Sequence, residues 1–300
     1  MHSILTPSRR LVVAALAMSA LAAGLLTGCA SGPHVQTRAV VAERGADKST
    51  DLRIAESALE SGDTQLAISL FERALQADPH SLPAQLGLAD AIYGTGDLAR
   101  AGVLYRQAAA AGPGDPRAEL GLARVALRER RLDEAIARYR RLAAAHPENA
   151  VVAEGLGAAL DLQGNHAEAQ AVYRAALTHH PEAQGLKANL GLSLILERRA
   201  REGANVLLDI AGLPDAPVQA RENLALAYGL LGNAEAAKSI LAADMPAASA
   251  EDNLSFYREL RERWSDRADS AASTGDTAAS RAARVEAVPS ASPAIAGAIE

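Results

Sequence analysis

A chain of 300 residues with one thiol, seven histidines and 36 acidic side chains must gather some of them if it is to do chemistry. The thiol, Cys29, stands alone, which rules out an intramolecular disulfide and a cysteine-built metal site. His179 and His180 form the one adjacent histidine pair. They precede Pro181 at the end of a helical stretch, where a protonated imidazole complements the helix dipole, and that reading is preferred to a metal site. The sequence holds no HExxH, no GxSxG, no phosphate-binding glycine loop and no clustered CxxC. Glu119 and Asp133 read as solvated helix charges. The expectation is a protein that is not an enzyme, with no cofactor and no metal, whose work is recognition.

Cys29 invites a different chemistry, acylation. Arg9 and Arg10 precede an apolar run from Leu11 to Leu26 and then small residues, the order of a secretory signal. The run falls short of the about 20 apolar residues of a membrane-spanning helix. The tetrad Leu26-Thr27-Gly28-Cys29 resembles the lipobox of bacterial lipoproteins, which implies cleavage before Cys29 and diacylglycerol on its sulfur. The competing reading is a buried free cysteine. Several acyl chains anchor stably where a single one does not. By the same resemblance, Ala30 stands where an aspartate retains many such proteins at the inner membrane, and so favours the outer one. Residues 1–28 are therefore expected as signal peptide and 29–47 as a flexible tether. The protein is expected in the outer membrane, lipid-anchored and facing the periplasm.

The formal charge is −6, and becomes −8 without Arg9 and Arg10, from 28 basic against 36 acidic residues. That balance, with few aromatic residues, argues against nucleic acid, which needs a basic face and stacking platforms.

The elements that would carry a recognition surface follow a period of 34 residues. Gly62, Gly96 and Gly164 share one register, with Arg130 as the exception; so do Ala67, Ala101, Ala135 and Ala169; so do Phe71, Tyr105, Tyr139 and Tyr173; so do Pro79, Pro113, Pro147 and Pro181. Small residues (Ala55, Ala89, Ala123, Gly157, Gly191, Ala225) recur where the two helices of a hairpin would cross closely. The glycine suits the left-handed residue that ends a helix, the aromatic fills the gap between hairpins, and the proline stops the second helix. These marks resemble the tetratricopeptide repeat. That resemblance implies an all-α superhelical solenoid of about six helix hairpins, at 48–81, 82–115, 116–149, 150–183, 184–217 and 218–244. The fifth hairpin drifts, with Arg198 for the glycine, Gly203 for the alanine and Leu207 for the aromatic. A capping helix is expected over 249–265, opened by Ser249 with Asp252 and carrying Leu254, Tyr257, Leu260 and Trp264 on one stripe. Residues 266–300 are expected to be disordered.

Stacked hairpins present a concave surface lined by their first helices. Projected through the register, the groove candidates are Asp90, Tyr93, Leu120, Arg124, Leu127 and Arg128, then Asp161 and Leu162. Further along come Asn189, Leu192, Ile195, Leu196, Asn223 and Leu226. The arginines suit carboxylates, the asparagines an extended backbone and the leucines apolar anchors; alternatively, some leucines pack hairpin on hairpin. Asn189 and Asn223 meet only part of the Lys/Asn/Arg set with which chaperone-binding repeats clamp a terminal carboxylate, so that function is not carried over.

A narrower resemblance lies in Glu222 to Arg261, where "ENLALAYGLLGNAEAAKSILAADMP" is followed by "EDNLSFYRELR". The stretch is similar to the C-terminal signature of the TadD-type lipoproteins of the Flp/Tad pilus assembly system. It implies a pilotin or scaffold for the pilus secretin, whose partner is a segment of the secretin or of another pilus component and whose acyl chains enter the membrane. The alternative is a general envelope scaffold that docks peptidoglycan enzymes or outer-membrane assembly factors.

Overall fold

The computed structural model describes residues 48–274, with side chains over 50–266. The expected signal peptide, Cys29, the tether and residues 275–300 lie outside these. Among the described residues there are thirteen helices and no strand. The helices pair into hairpins: α1 (Lys48–Glu60) with α2 (Thr64–Ala77), α3 (Leu82–Gly94) with α4 (Leu98–Ala111), and α5 (Pro116–Arg128) with α6 (Leu132–Ala145). Then come α7 (Ala150–Leu162) with α8 (His166–His179), α9 (Gln184–Leu196) with α10 (Ala200–Ala211), and α11 (Val218–Leu230) with α12 (Ala234–Asp244), followed by α13 (Ala247–Thr274). Successive first helices begin 34 residues apart, from Lys48 to Val218.

The repeat marks do the work their chemistry implies. Ala55, Ala89, Ala123 and Ala225 on the first helices, and Ala67, Ala101, Ala135, Ala169 and Ala237 on the second, are fully buried where the helices cross. Side chains of Asp63, Asp97, Asn149 and Asn233 accept backbone N–H groups at the starts of α2, α4, α7 and α12. The turn glycines Gly62, Gly96, Gly164 and Gly232 have φ between 83° and 87°. Arg130 and Arg198, which stand where that glycine is missing, hold the same left-handed conformation at φ 59° and 67°. The geometry of the turn is set by the hairpin, and an arginine is forced into it.

Aromatic packing explains a second glycine register. Gly87, Gly121 and Gly155 lie under the rings of Phe71, Tyr105 and Tyr139 from the preceding hairpin; a Cβ there would sit 2.2–2.3 Å from ring carbons. In the next two hairpins that position is Asn189 and Asn223, and the space is found elsewhere. Tyr173 and Leu207 lean instead over Gly157 and Gly191 of their own hairpins, where a Cβ would sit 2.2 Å and 2.5 Å away.

The closing helix differs from expectation at both ends. Pro246 stands at its start, its carbonyl accepting the N–H of Ala250 at 3.1 Å, and Ser249 lies within the first turn rather than at the cap. The helix continues to Thr274, so the segment Asp266–Thr274, expected from its composition to be disordered, is helical. That stretch is rich in alanine and free of glycine and proline, which makes it permissive to helix. Leu254, Tyr257 and Leu260 seal the last hairpin as the stripe implies, packed with Leu224, Leu230 and Leu241. Trp264 lies against the guanidinium of Arg198, 5.5 Å from ring centroid to Cζ.

Candidate partner-binding groove

Each odd-numbered helix from α1 to α11 touches the next odd one, so the first helices of the hairpins make a continuous row. The best-defined polar feature on that row lies between α3 and α5, where Tyr93 meets two arginines of the next hairpin. The Cζ atoms of Arg124 and Arg128 stand 4.5 Å and 5.0 Å from the centroid of the Tyr93 ring, and Arg128 donates to the Tyr93 carbonyl at 3.2 Å. Asp90, one turn before Tyr93, accepts the hydroxyl of the buried Tyr105 at 2.5 Å. Burial, reinforced by Asp90, pushes that phenol well above its ordinary range, so it remains a donor.

Because the same Asp90 oxygen is held by Tyr105, its ion pair with Arg124 is loose, at 3.7 Å with both side chains more than 40% exposed. Such a pair is worth little in stability. Arg128 has no carboxylate within ion-pair distance among the described residues. Two guanidinium groups are thus held in place by an aromatic face and a carbonyl, with most of their capacity for an anion unspent. Leu120 and Leu127 flank them, half-buried against the core below. Six sequence candidates, Asp90, Tyr93, Leu120, Arg124, Leu127 and Arg128, are therefore brought together.

The later candidates are not. Leu192, Ile195 and Leu226 are 2%, 0% and 1% exposed inside the core shared by α9 to α13. They lie on the groove register, but their side chains are taken up in the core. A Cβ on Gly203 would lie 2.6 Å from the carbonyl of Gly191, so α9 and α10 pack tightly. Asn223, 1% exposed, and the half-buried Asn189 fall on the register of Gly87, Gly121 and Gly155, which faces the preceding hairpin rather than the groove. Neither the Nδ2 nor the Oδ1 of Asn223 has a protein partner. Asp161 is also buried, 7% exposed, while Leu162 and Leu196 stay half-buried.

Asp161 raises the question of catalysis, since it meets a serine and a histidine. Its carboxylate takes the Ser193 hydroxyl at 2.6 Å, the Nδ1 of His166 at 2.8 Å and the Tyr173 hydroxyl at 3.1 Å. The order is wrong for a nucleophilic triad: the serine donates to the carboxylate, leaving no imidazole to take its proton, and Ser193 is fully buried. The cluster ties α7, α8 and α9 together. His180 ends α8, with its Nε2 2.6 Å from the Glu148 carbonyl. Glu119 is bridged by Arg138, and Asp133 accepts from Gln163. Among the described residues no three histidine or acidic side chains gather as a metal site.

Glu154 on α7 is not among the sequence candidates, although it falls one period after Leu120. Its carboxylate lies against Gly185 at the start of α9, and burial pushes its pKa upward.

Two family models described as tetratricopeptide repeat match residues 52–116 and 93–160. The fold is a tetratricopeptide-repeat solenoid. Solved structures agree with it. A thermophilic tetratricopeptide-repeat protein from Thermus thermophilus aligns at 19% identity and a TM-score of 0.54, over 60% of this chain and 98% of its own. The pilF protein of Pseudomonas aeruginosa aligns at 19% identity and a TM-score of 0.54, over 64% and 88% of the two chains. A chain of the APC/C hetero-tetramer Cut9–Hcn1 gives 18% identity and a TM-score of 0.63, over 70% of this chain and 43% of that one. At these identities the likeness is one of fold. No curated protein matches the chain. Tetratricopeptide repeats serve protein–protein interaction.

Proposed function

We propose that this tetratricopeptide-repeat protein is an outer-membrane lipoprotein, anchored through Cys29, whose groove captures a segment of the Flp/Tad pilus secretin or of another pilus component. The observation that carries the binding step is the pair of guanidinium groups fixed on Tyr93 without a full carboxylate partner. The anchor rests on the lipobox-like Leu26-Thr27-Gly28-Cys29, and the pilus system on the Glu222–Arg261 stretch. In the fold that stretch lies in α11, α12 and the sealing part of α13.

An acyl anchor confines the protein to the membrane plane, and a groove that holds one segment of a client raises the client's effective concentration at the site of insertion. The test is the amount of detergent-resistant secretin multimer in outer-membrane fractions from wild type, a deletion strain and a Cys29→Ala strain. Loss in both mutants supports anchored delivery, and loss in the deletion alone leaves the groove without the lipid. Unchanged multimers in both exclude the pilotin role and favour the general envelope scaffold.

A further inference from the structure

The open part of the groove carries opposite charges on neighbouring hairpins. On α5, Arg124 and Arg128 lean on Tyr93 with Asp90 already engaged by Tyr105. On α7, Glu154 is half-buried and points along the row toward α9, its Oε1 lying 2.5 Å from where a Cβ on Gly185 would be. No basic side chain lies within ion-pair distance of Glu154 among the described residues, and burial alone, with no cation, pushes its carboxyl upward. Two periods further along, Glu222 on α11 is half-buried too and raised first by burial and then by Asp244, with Arg221, which forks onto Asp244 at 2.6 Å and 2.7 Å, offsetting only part of it. Half-buried charges left without partners cost stability in the free protein. An occupant that supplies the opposite charges removes that cost.

Resting on the reading of this surface as a protein-binding groove, we infer that it takes an extended segment bearing an acidic side chain over Tyr93, Arg124 and Arg128 and a basic side chain over Glu154. The guanidinium groups sit between α3 and α5 and the Glu154 carboxylate between α7 and α9; at about 8–10 Å per helix spacing and about 3.3 Å per residue of extended chain, that puts the two charges about five to six residues apart. Leu120 and Leu127, on α5 beside the arginines, suit a small apolar side chain in the gap. Charge order along the groove, rather than net charge, is then what selects the partner, because a segment with the order misplaced sets like charges against each other.

The test is fluorescence anisotropy of the full chain with labelled synthetic peptides. One carries an acidic and a basic residue about five to six positions apart in an otherwise neutral, mildly apolar sequence, and others have either charge neutralised or both made acidic. The acid-and-base peptide should bind about tenfold more tightly than either neutralised form. Glu154→Lys should reverse the preference in favour of the doubly acidic peptide, and Arg128→Glu should abolish the need for the acidic residue, with the helical circular dichroism of both variants unchanged. Glu154→Gln, which keeps the side chain's shape, should erase the advantage of the basic residue even if the lysine variant fails to fold. The inference is overturned by equal binding of all peptides, by binding of none at millimolar concentration, by Glu154 variants that keep the original preference, or by inorganic phosphate competing as well as the peptide. Its failure is separable from that of the pilus reading. Peptide selectivity with normal secretin multimers in the deletion strain removes only the pilus, and lost multimers without selectivity removes only the charge order.

Discussion

Tyr105 and Asp90 are joined by a 2.5 Å hydrogen bond that spans the two helices of the second hairpin, and this bond decides what Arg124 is free to do. While Tyr105 holds the carboxylate, Arg124 reaches it only at 3.7 Å and rests on Tyr93 instead. Tyr105→Phe keeps the ring that packs over Gly121 but releases Asp90. We expect a stability loss of about 1.5 kcal/mol, at the low end for a bond to a charged acceptor because Asp90 is half exposed to water. We also expect weaker partner capture, because Asp90 then closes on Arg124. Thermal melts and binding to the acid-and-base peptide measure the two effects separately; unchanged affinity would show that Arg124 is no part of the site.

Arg130 and Arg198 carry a cost that the other turns avoid. A non-glycine residue in the left-handed region is disfavoured by about 1–2 kcal/mol. Arg130, at φ 59°, has no ion pair or aromatic contact among the described residues to offset it. Arg130→Gly should raise the melting temperature by about 2–4 °C for a domain of this size. Arg198→Gly should gain less, because it also loses the contact with Trp264. Differential scanning calorimetry of the two variants side by side checks the order.

The hairpins are legible in the sequence because their marks answer local needs that repeat with the chain: a small residue at each crossing, a ring between hairpins, a proline after each second helix. Even Arg130 and Arg198 can be placed by register alone. The groove candidates hold only on α3 and α5, where they stay partly exposed. A leucine at the register of Leu192 or Leu226 reads the same whether it meets solvent or a neighbouring helix. What separates the cases is how closely neighbouring helices approach, and that depends on residues such as Gly191 and Gly203 on other faces. Asn223 misleads for another reason. Its polarity suggests a surface, whereas it occupies the slot left when Leu207 leans over Gly191. Glu154 is hidden because its nearest register partners, Leu120 and Ala188, are apolar. The end of α13 escapes because an alanine-rich, charged segment has the composition of a disordered tail as readily as that of a solvated helix.

The tight fifth hairpin makes its own prediction. A Cβ on Gly203 would lie 2.6 Å from the backbone oxygen of Gly191 and 2.7 Å from Ile195, and a backbone atom cannot turn aside as a side chain can. Gly203→Ala, which restores the alanine of the other hairpins, should therefore destabilise by about 1–3 kcal/mol rather than help, against the usual gain of alanine in a helix. Urea unfolding gives the sign directly, and a stabilised variant would mean that α9 and α10 can separate at little cost.

Asp161 sets a pH dependence of defined sign. Burial pushes its carboxyl upward, opposed but not overcome by His166, Ser193 and Tyr173. A folded-state pKa above the unfolded one means that the native state binds the proton more tightly, so the contribution is fully present below the unfolded value near 3.8 and is lost as pH rises through the folded value. Asp161→Asn cannot titrate and lacks this dependence. The melting temperature of wild type minus that of Asp161→Asn should therefore increase as pH is lowered from neutrality toward about 4, whatever the common slope from the other carboxylates. A difference that shrinks over that range would mean that the three donors hold Asp161 as a stabilised carboxylate, with its pKa below the unfolded value.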